Sequence, residues 1–167
     1  MATFPETTWG RRESWLSQRL VTFAATKAGS ASVRAMAPLD TWLLRRTKGK
    51  FTVLGPVGAP VMLLTATGAR SGQPRQSPLL YGRDGDTLIV VGSNFGQDKH
   101  PAWSANLLAH PEAVVTMGGR DIPVRATRLE GTEAESGYQL MVDTISTYAA
   151  YKDRTDRDIR VFRLTAR

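Results

Sequence analysis

Cysteine is absent from the 167 residues, and histidine occurs only at His100 and His110. The first absence excludes disulfide frameworks, thiolate nucleophiles, iron–sulfur clusters and cysteine-type zinc sites. Two isolated histidines, each followed by a proline, form no ligand cluster, so no metal is expected. Apolar runs reach only about four residues, against the roughly 20 that a membrane-spanning helix needs. The opening Met1-Ala-Thr-Phe-Pro-Glu6 shows no basic stretch leading into an apolar one, so no secretory signal is expected. The expected location is cytoplasmic. With 41% apolar and 22% charged residues, the composition is that of a globular chain. Its length suits one core that buries about 70% of the unfolded surface.

Charge is unevenly placed. Residues 1–50 hold nine Lys/Arg against three Asp/Glu, a net of +6, while residues 51–167 hold thirteen against twelve, a net of +1. Arg11, Arg12, Arg19, Lys27, Arg34, Arg45 and Arg46 alternate with Trp15, Leu16, Leu20, Phe23, Trp42 and Leu43. A basic segment rich in Trp and Leu suits an anionic membrane surface at the inner face of the cell membrane. A solvated helical lead-in with snorkelling arginines gives the same pattern. No nucleic-acid motif accompanies the charge, and no nucleic-acid partner is expected.

Helical spacing over residues 13–27 predicts one helix. The small residues Ala28-Gly-Ser-Ala-Ser32 read as a loop. A second helix then ends in Asp40-Thr-Trp-Leu-Leu-Arg-Arg46, with Asp40 able to cap its last turns and the arginines suiting its C-terminus. From Phe51 the period changes. Short apolar runs bounded by Gly, Pro and Asp predict strands at 61–65, 77–81, 87–92, 113–117, 121–128 and 159–164. Asp84-Gly-Asp86 and Gly118-Gly119 are hairpin signals. Pro101–Ala109 predicts a helix with Pro at its first position. Thr132-Glu-Ala-Glu135 reads as a capping box opening a longer helix that carries Tyr138, Met141, Val142, Ile145 and Tyr148 on one face. The expected class is α+β: an antiparallel, closed or partly closed β-barrel with helices across its openings and a helical N-terminal lead-in. The expected division is a basic amphipathic extension at 1–38 and the barrel domain at 39–167.

Three stretches carry chemistry. Thr65-Ala-Thr-Gly-Ala-Arg-Ser-Gly-Gln-Pro-Arg-Gln-Ser77 leaves a strand for a glycine turn where amides can converge. Arg70, Arg75, Ser71 and Ser77 flank that turn. Oriented amides with guanidinium forks suit phosphate or carboxylate; a hairpin turn with two solvating arginines would look the same. No Walker loop or dinucleotide fingerprint is present. Val91-Gly-Ser-Asn-Phe-Gly-Gln-Asp-Lys-His-Pro-Ala-Trp103 then runs from a strand into a helix N-terminus, offering Ser93, Asn94 and Lys99 for polar contacts. Trp103 and Asn106 follow on that helix, where Trp103 also reads as a core anchor. Tyr148-Ala-Ala-Tyr151 places two phenols on one helix face, facing a cavity or closing the core.

Taken in order, Thr-Ala-Thr-Gly-Ala-Arg-Ser-Gly-Gln-Pro-Arg75, Ser-Pro-Leu-Leu-Tyr81, Lys-His-Pro-Ala-Trp-Ser-Ala-Asn-Leu107, Tyr-x-x-Tyr151 and Arg-Thr-Asp-Arg157 resemble the deazaflavin-dependent nitroreductase family. This is a branch of the split β-barrel flavin/deazaflavin oxidoreductases, found chiefly in actinobacteria. The resemblance covers about residues 39–164. It implies coenzyme F420, whose phosphate and oligoglutamate tail are polyanionic, as the hydride donor to an organic acceptor such as a quinone or nitro compound. By the family pattern Arg70, Ser71, Gly72 and Arg75 hold the phosphate and tail with Lys99. Ser77, Pro78, Leu79, Val91, Gly92, Ser93 and Asn94 line the ring, and Ala102, Trp103 and Asn106 close its other side. Ser93 is the candidate catalytic group, and Leu80, Tyr148 and Tyr151 would cover the acceptor. Two departures stand out: Ala69 replaces a frequent basic residue, and Arg154 stands where nitro-reducing relatives carry a third aromatic. FMN, with one phosphate, has less use for so extended a basic track.

Overall fold

The computed structural model describes residues 4–7 and 15–167. Arg11, Arg12, Glu13 and the side chain of Leu16, all part of the N-terminal reading, lie outside the described residues. Two helices open the chain, α1 (Trp15–Ala24) and α2 (Lys27–Arg46). The small-residue stretch expected to be a loop is the first turn of α2. Thr26 caps it, accepting from the Gly29 N–H at 3.0 Å, and Ser30 Oγ donates back to the Ala24 carbonyl at 2.9 Å. Gly29 is there for contact: a Cβ would lie 1.9 Å from the Phe23 carbonyl oxygen. Asp40 does not cap the helix either. It is buried in the middle of α2, where its Oδ1 accepts from Thr52 Oγ1 and the Val53 N–H, both at 2.8 Å. Arg45 and Arg46 do occupy the last turn.

Seven antiparallel strands follow: β1 (Val61–Thr67), β2 (Pro74–Leu80), β3 (Gly82–Asp84), β4 (Thr87–Val91), β5 (Glu112–Met117), β6 (Arg120–Leu129) and β7 (Val161–Ala166). Their order in the sheet is β2-β1-β5-β6-β7-β4-β3. The edge strands β2 and β3 are joined by the single residue Tyr81, so the sheet must curl until its edges meet at that end. Elsewhere they part. β3 has only three residues and pairs with Thr87–Ile89 alone, which leaves the Val90–Ser93 side of β4 open. The barrel is therefore split, as expected.

The hairpins obey their glycines. Met117 pairs with Arg120 across Gly118 (φ 56°) and Gly119 (φ 84°), the left-handed pair a two-residue turn of this hand requires. Strand β1 is apolar on both sides because both are covered. Met62, Leu64 and Ala66 fill the barrel with Val115, Val124, Phe162 and Leu164. Val61 and Leu63 meet Leu44 of α2 outside it. The barrel core also takes Phe4, held by Arg83, which donates to the Phe4 and Pro5 carbonyls.

Three further helices cover the sheet: α3 (Ala102–Ala109), α4 (Gly131–Thr144) and α5 (Thr147–Lys152). Pro101 is the N-cap of α3 rather than its first residue. The capping box does not form, because α4 already begins at Gly131 with Glu130 as N-cap. Nor does one long helix reach Tyr148. Ile145 turns extended (φ −146°, ψ 104°), ending α4, and Tyr148 belongs to α5.

Candidate functional site

A cleft of about 220 Å³ opens where the barrel is split. One wall is Ser77–Leu80 of β2; the facing wall is Val91, Ser93 and Asn94, leaving β4. Trp103 of α3 and Pro101 close one end. Tyr148 and Tyr151 of α5 close the other, beside Val33, Met36, Ala37 and Asp40 of α2. The second N-terminal helix, α2, thus forms part of the site.

Ten of the expected residues come together here: Ser77, Pro78, Leu79, Leu80, Val91, Ser93, Asn94, Trp103, Tyr148 and Tyr151. Pro78 is tolerated because β2 is an edge strand. Trp103 serves both readings, lining the cleft while its ring lies 5.8 Å from that of Phe162 in the core. Both tyrosines are likewise buried and cleft-lining, with ring centroids 5.6 Å apart. Tyr138 Oη donates to the Tyr148 carbonyl at 2.7 Å, tying α4 to α5. Burial pushes the Tyr138 phenol up to about 12 and raises that of Tyr148 as well, with Tyr151 next in its causes. Tyr148 therefore stays protonated near neutrality and acts as a hydrogen-bonding group, not a base.

Arg70, Ser71 and Gly72, exposed on the turn between β1 and β2, and Arg75, exposed at the start of β2, stand apart from the cleft. Several of the turn's amides are engaged within the fold. Gly68 N–H donates to Gln73 O (2.9 Å), Gly72 N–H to Gly68 O (2.8 Å) and Gln73 N–H to Ser71 Oγ (3.3 Å). Ala69 N–H donates to Asn106 Oδ1 at 2.9 Å. That leaves the Arg70 and Ser71 N–H groups and the side chains to meet an anion. At about 3.3 Å per strand residue, Arg75 lies about 7 Å along β2 from Ser77, so turn and cleft form one track. The local sequence is basic: residues 41–83 contain seven Lys/Arg and no Asp or Glu. Asn106 is buried behind the turn rather than in the cleft. Ala102 and Lys99 are exposed beside it, and Gly92 is buried at the end of β4, its N–H donating to Arg160 O at 2.8 Å.

The loop after β4 is strained. Asn94 (φ 47°), Phe95 (φ 57°) and Gly96 (φ 74°) are left-handed in succession. For a non-glycine residue each such conformation costs on the order of 1–3 kcal/mol and persists only where neighbours enforce it. Asn94 Nδ2 donates to the Lys99 carbonyl at 2.8 Å. Arg157 donates into the same loop, a role no motif spacing had signalled. Arg154 Nη1 donates to Ser30 Oγ and Nη2 to the Ala25 carbonyl, while its guanidinium lies 5.5 Å from the Tyr151 ring centre. It fastens the helix pair to α5.

The residues present suit a flat ring system with an anionic tail. The cleft offers largely apolar walls with Ser77, Ser93, Asn94 and the already engaged Asp40 as polar groups, and the arginines at and just after the turn offer two guanidinium forks. Among the described residues, no group of His, Asp or Glu is placed to hold a metal ion.

A family profile described as F420H(2)-dependent quinone reductase matches residues 37–166. An F420H(2)-dependent quinone reductase of Mycobacterium tuberculosis is 33% identical over 128 residues, covering 75% of this chain and 86% of that protein. Among solved structures, an F420-H2 dependent reductase (FDR-A) is similar at 39% identity and a TM-score of 0.58, over 63% of this chain and 93% of its own. A second, described as a domain-swapped dimer, is 35% identical with a TM-score of 0.59, over 76% and 98%.

Proposed function

Since the chain belongs to the F420H(2)-dependent quinone reductase family, we propose that the split of its barrel is the site where reduced coenzyme F420 meets a quinone. The protein is an oxidoreductase with F420 as its cofactor. The observation that carries the placement is the continuity of a largely apolar, serine-bearing cleft with an arginine-bearing turn.

Bound there, reduced F420 supplies the hydride. The chain's own residues supply everything else. Arg70, Ser71 and Arg75 would hold phosphate and carboxylates, with Lys99 adding charge. Ser77, Pro78, Leu79, Val91, Gly92, Ser93 and Asn94 would line one side of the ring. Trp103 would close the other, beside Ala102, and Asn106 would hold the turn from behind. Ser93 is the proposed catalytic group, a polar donor on the wall it shares with Val91 and Asn94. Leu80, Tyr148 and Tyr151 would cover the acceptor and exclude water; the Tyr148 phenol would be the donor to a quinone oxygen, since Tyr151 Oη donates to the Ala24 carbonyl at 3.5 Å. The proposed division is a basic extension at 1–38 and the barrel at 39–167, but the continuous α2 crosses it, and Val33, Met36 and Ala37 of the extension share the cleft with the barrel.

Quinones are the proposed acceptor class ahead of nitroaromatics. Arg154, where a third aromatic would extend the cover, is spent on Ser30, Ala25 and Tyr151. Among the described residues no helix is long and apolar enough to cross a membrane. Peripheral attachment to the inner face of the cell membrane, where quinones reside, is the proposed location.

The test is a fluorescence titration of the purified protein with F420 and with FMN, followed by turnover with a soluble quinone. We expect F420 to bind the more tightly and its reduced form to be oxidised by the quinone. Equal or tighter FMN binding would overturn the cofactor assignment; binding without quinone turnover would overturn the acceptor.

A further inference from the structure

Arg157 follows α5 and is not part of the cleft lining. Its guanidinium donates from all three nitrogens: Nε to the Gln97 carbonyl (3.1 Å), Nη1 to the Gly92 carbonyl (3.1 Å) and to His100 Nδ1 (2.9 Å), and Nη2 to the Ser93 carbonyl (2.8 Å). All four partners lie within residues 92–100, the segment with three successive left-handed residues. A conformation of that kind needs an external hold, and this fan of contacts provides one.

The hold also has a direction. Peptide units are planar, and the structure contains no cis bond. Drawing the Gly92 and Ser93 carbonyls toward Arg157 therefore turns the N–H groups of Ser93 and Asn94 the opposite way. Ser93 and Asn94 line the cleft; Arg157 does not.

We propose that Arg157 is a positioning residue for the reduction, locking the loop at 92–100 in the conformation that presents Ser93 and Asn94 to the bound cofactor. The choice of cofactor as a readout rests on the function proposed above; the lock itself does not. A lysine cannot replace it, because one ammonium cannot reach acceptors spread around a planar fork.

His100 makes the lock sensitive to acid. Its Nδ1 accepts from a guanidinium, so that nitrogen carries no proton. Burial lowers its pKa from the ordinary histidine value, with Arg160, Arg157 and Arg128 acting in the same direction and Asp158 opposing them. Protonation would set one donor against another. The contact is thus intact at neutral pH and lost as pH falls below the usual histidine range.

Hydrogen exchange on the cofactor-free protein, read beside F420 titration, tests the proposal. Arg157→Ala and Arg157→Lys should each speed exchange across residues 92–100 by about tenfold or more while β1, β5 and β6 stay protected. Each should also raise the F420 dissociation constant about tenfold or more, and millimolar guanidinium should restore part of the binding in Arg157→Ala. His100→Gln, which accepts without titrating, should bind F420 normally at pH 7 and lose the weakening seen between pH 7 and 5. Unchanged loop exchange in both Arg157 variants would overturn the lock. Faster exchange with unaltered F420 affinity would overturn its role in presentation. A wild-type protein that does not bind F420 would instead sink the cofactor reading, while exchange still decides the lock. Should Arg157→Ala melt below the assay temperature, Arg157→Lys decides both points.

Discussion

Asn106 holds the Gly68–Gln73 turn from behind, through the Ala69 N–H, while Arg70 stands exposed on it and Arg75 just after it. The two kinds of residue should fail differently. Arg75→Ala removes a fork from the proposed anion track, so F420 affinity should drop about ten- to hundredfold with the melting temperature unchanged. A dissociation constant that stays put at low salt would leave Arg75 as a solvating residue. Asn106→Asp keeps an acceptor for the Ala69 amide but adds a negative charge beneath the turn. It should fold normally and still bind F420 more weakly, an effect that salt diminishes. Asn106→Ala removes the acceptor of the Ala69 amide instead and should cost about 1 kcal/mol of stability. Equal affinities for Asn106→Asp and wild type, measured by the same titration, would place the anion elsewhere.

At the scale of elements, α1 and α2 have two tasks on opposite faces. Val33, Met36, Ala37 and Asp40 line the cleft, whereas Trp15 (68% exposed), Leu20, Phe23, Leu39 and Trp42 (61% exposed) face solvent among Arg19, Lys27, Arg34, Arg45 and Arg46. Deleting the helices would therefore damage the site as well as the surface. The cleaner test of membrane attachment is Trp15→Ser with Trp42→Ser, read by sedimentation with vesicles containing anionic lipid. The wild type should co-sediment, less so at high salt, and the double variant should stay in solution with F420 affinity intact. Sedimentation that ignores lipid charge or both tryptophans would remove the membrane role. The helix pair also shows where the sequence was hard to read. Gly29 and its small neighbours carry no apolar period, because what they record is the close approach of one helix end to another. Tyr148 fitted the period of α4, but nothing local announced the extended break at Ile145. The strands were far more legible. Most of β4 and the first half of β1 are unbroken apolar runs, β5 carries a shorter one, β6 alternates, and the turns at Gly85 and Gly118-Gly119 need left-handed residues. β3 escaped notice because three residues make no pattern. For the site, the cleft-lining serines, prolines and aromatics could be read from their motifs. The work of Arg157 and Asn106 could not, since both act on backbone groups far away in sequence.

Across the whole molecule, the sheet order carries a consequence for how the chain acquires its structure. β7, last of the strands in sequence, lies between β6 and β4 and pairs with both, Leu129↔Val161 on one side and Val91↔Val161 on the other. Until residues 161–166 leave the ribosome, the β3–β4 hairpin has no sheet partner joining it to β5 and β6. Its link to β2 is only the covalent one at Tyr81. The barrel core, which needs Phe162 and Leu164, cannot close in that interval. Completion therefore waits until β7 has emerged, and its contacts of long sequence separation set a slow step. A chain ending at Arg160 should show residual helix by circular dichroism but no cooperative thermal transition, and the separate peptide 161–167 should restore one if the gap between β4 and β6 stays open to it. A sharp, wild-type-like melt of the shortened chain would mean that β4 and β6 can pair without the strand between them.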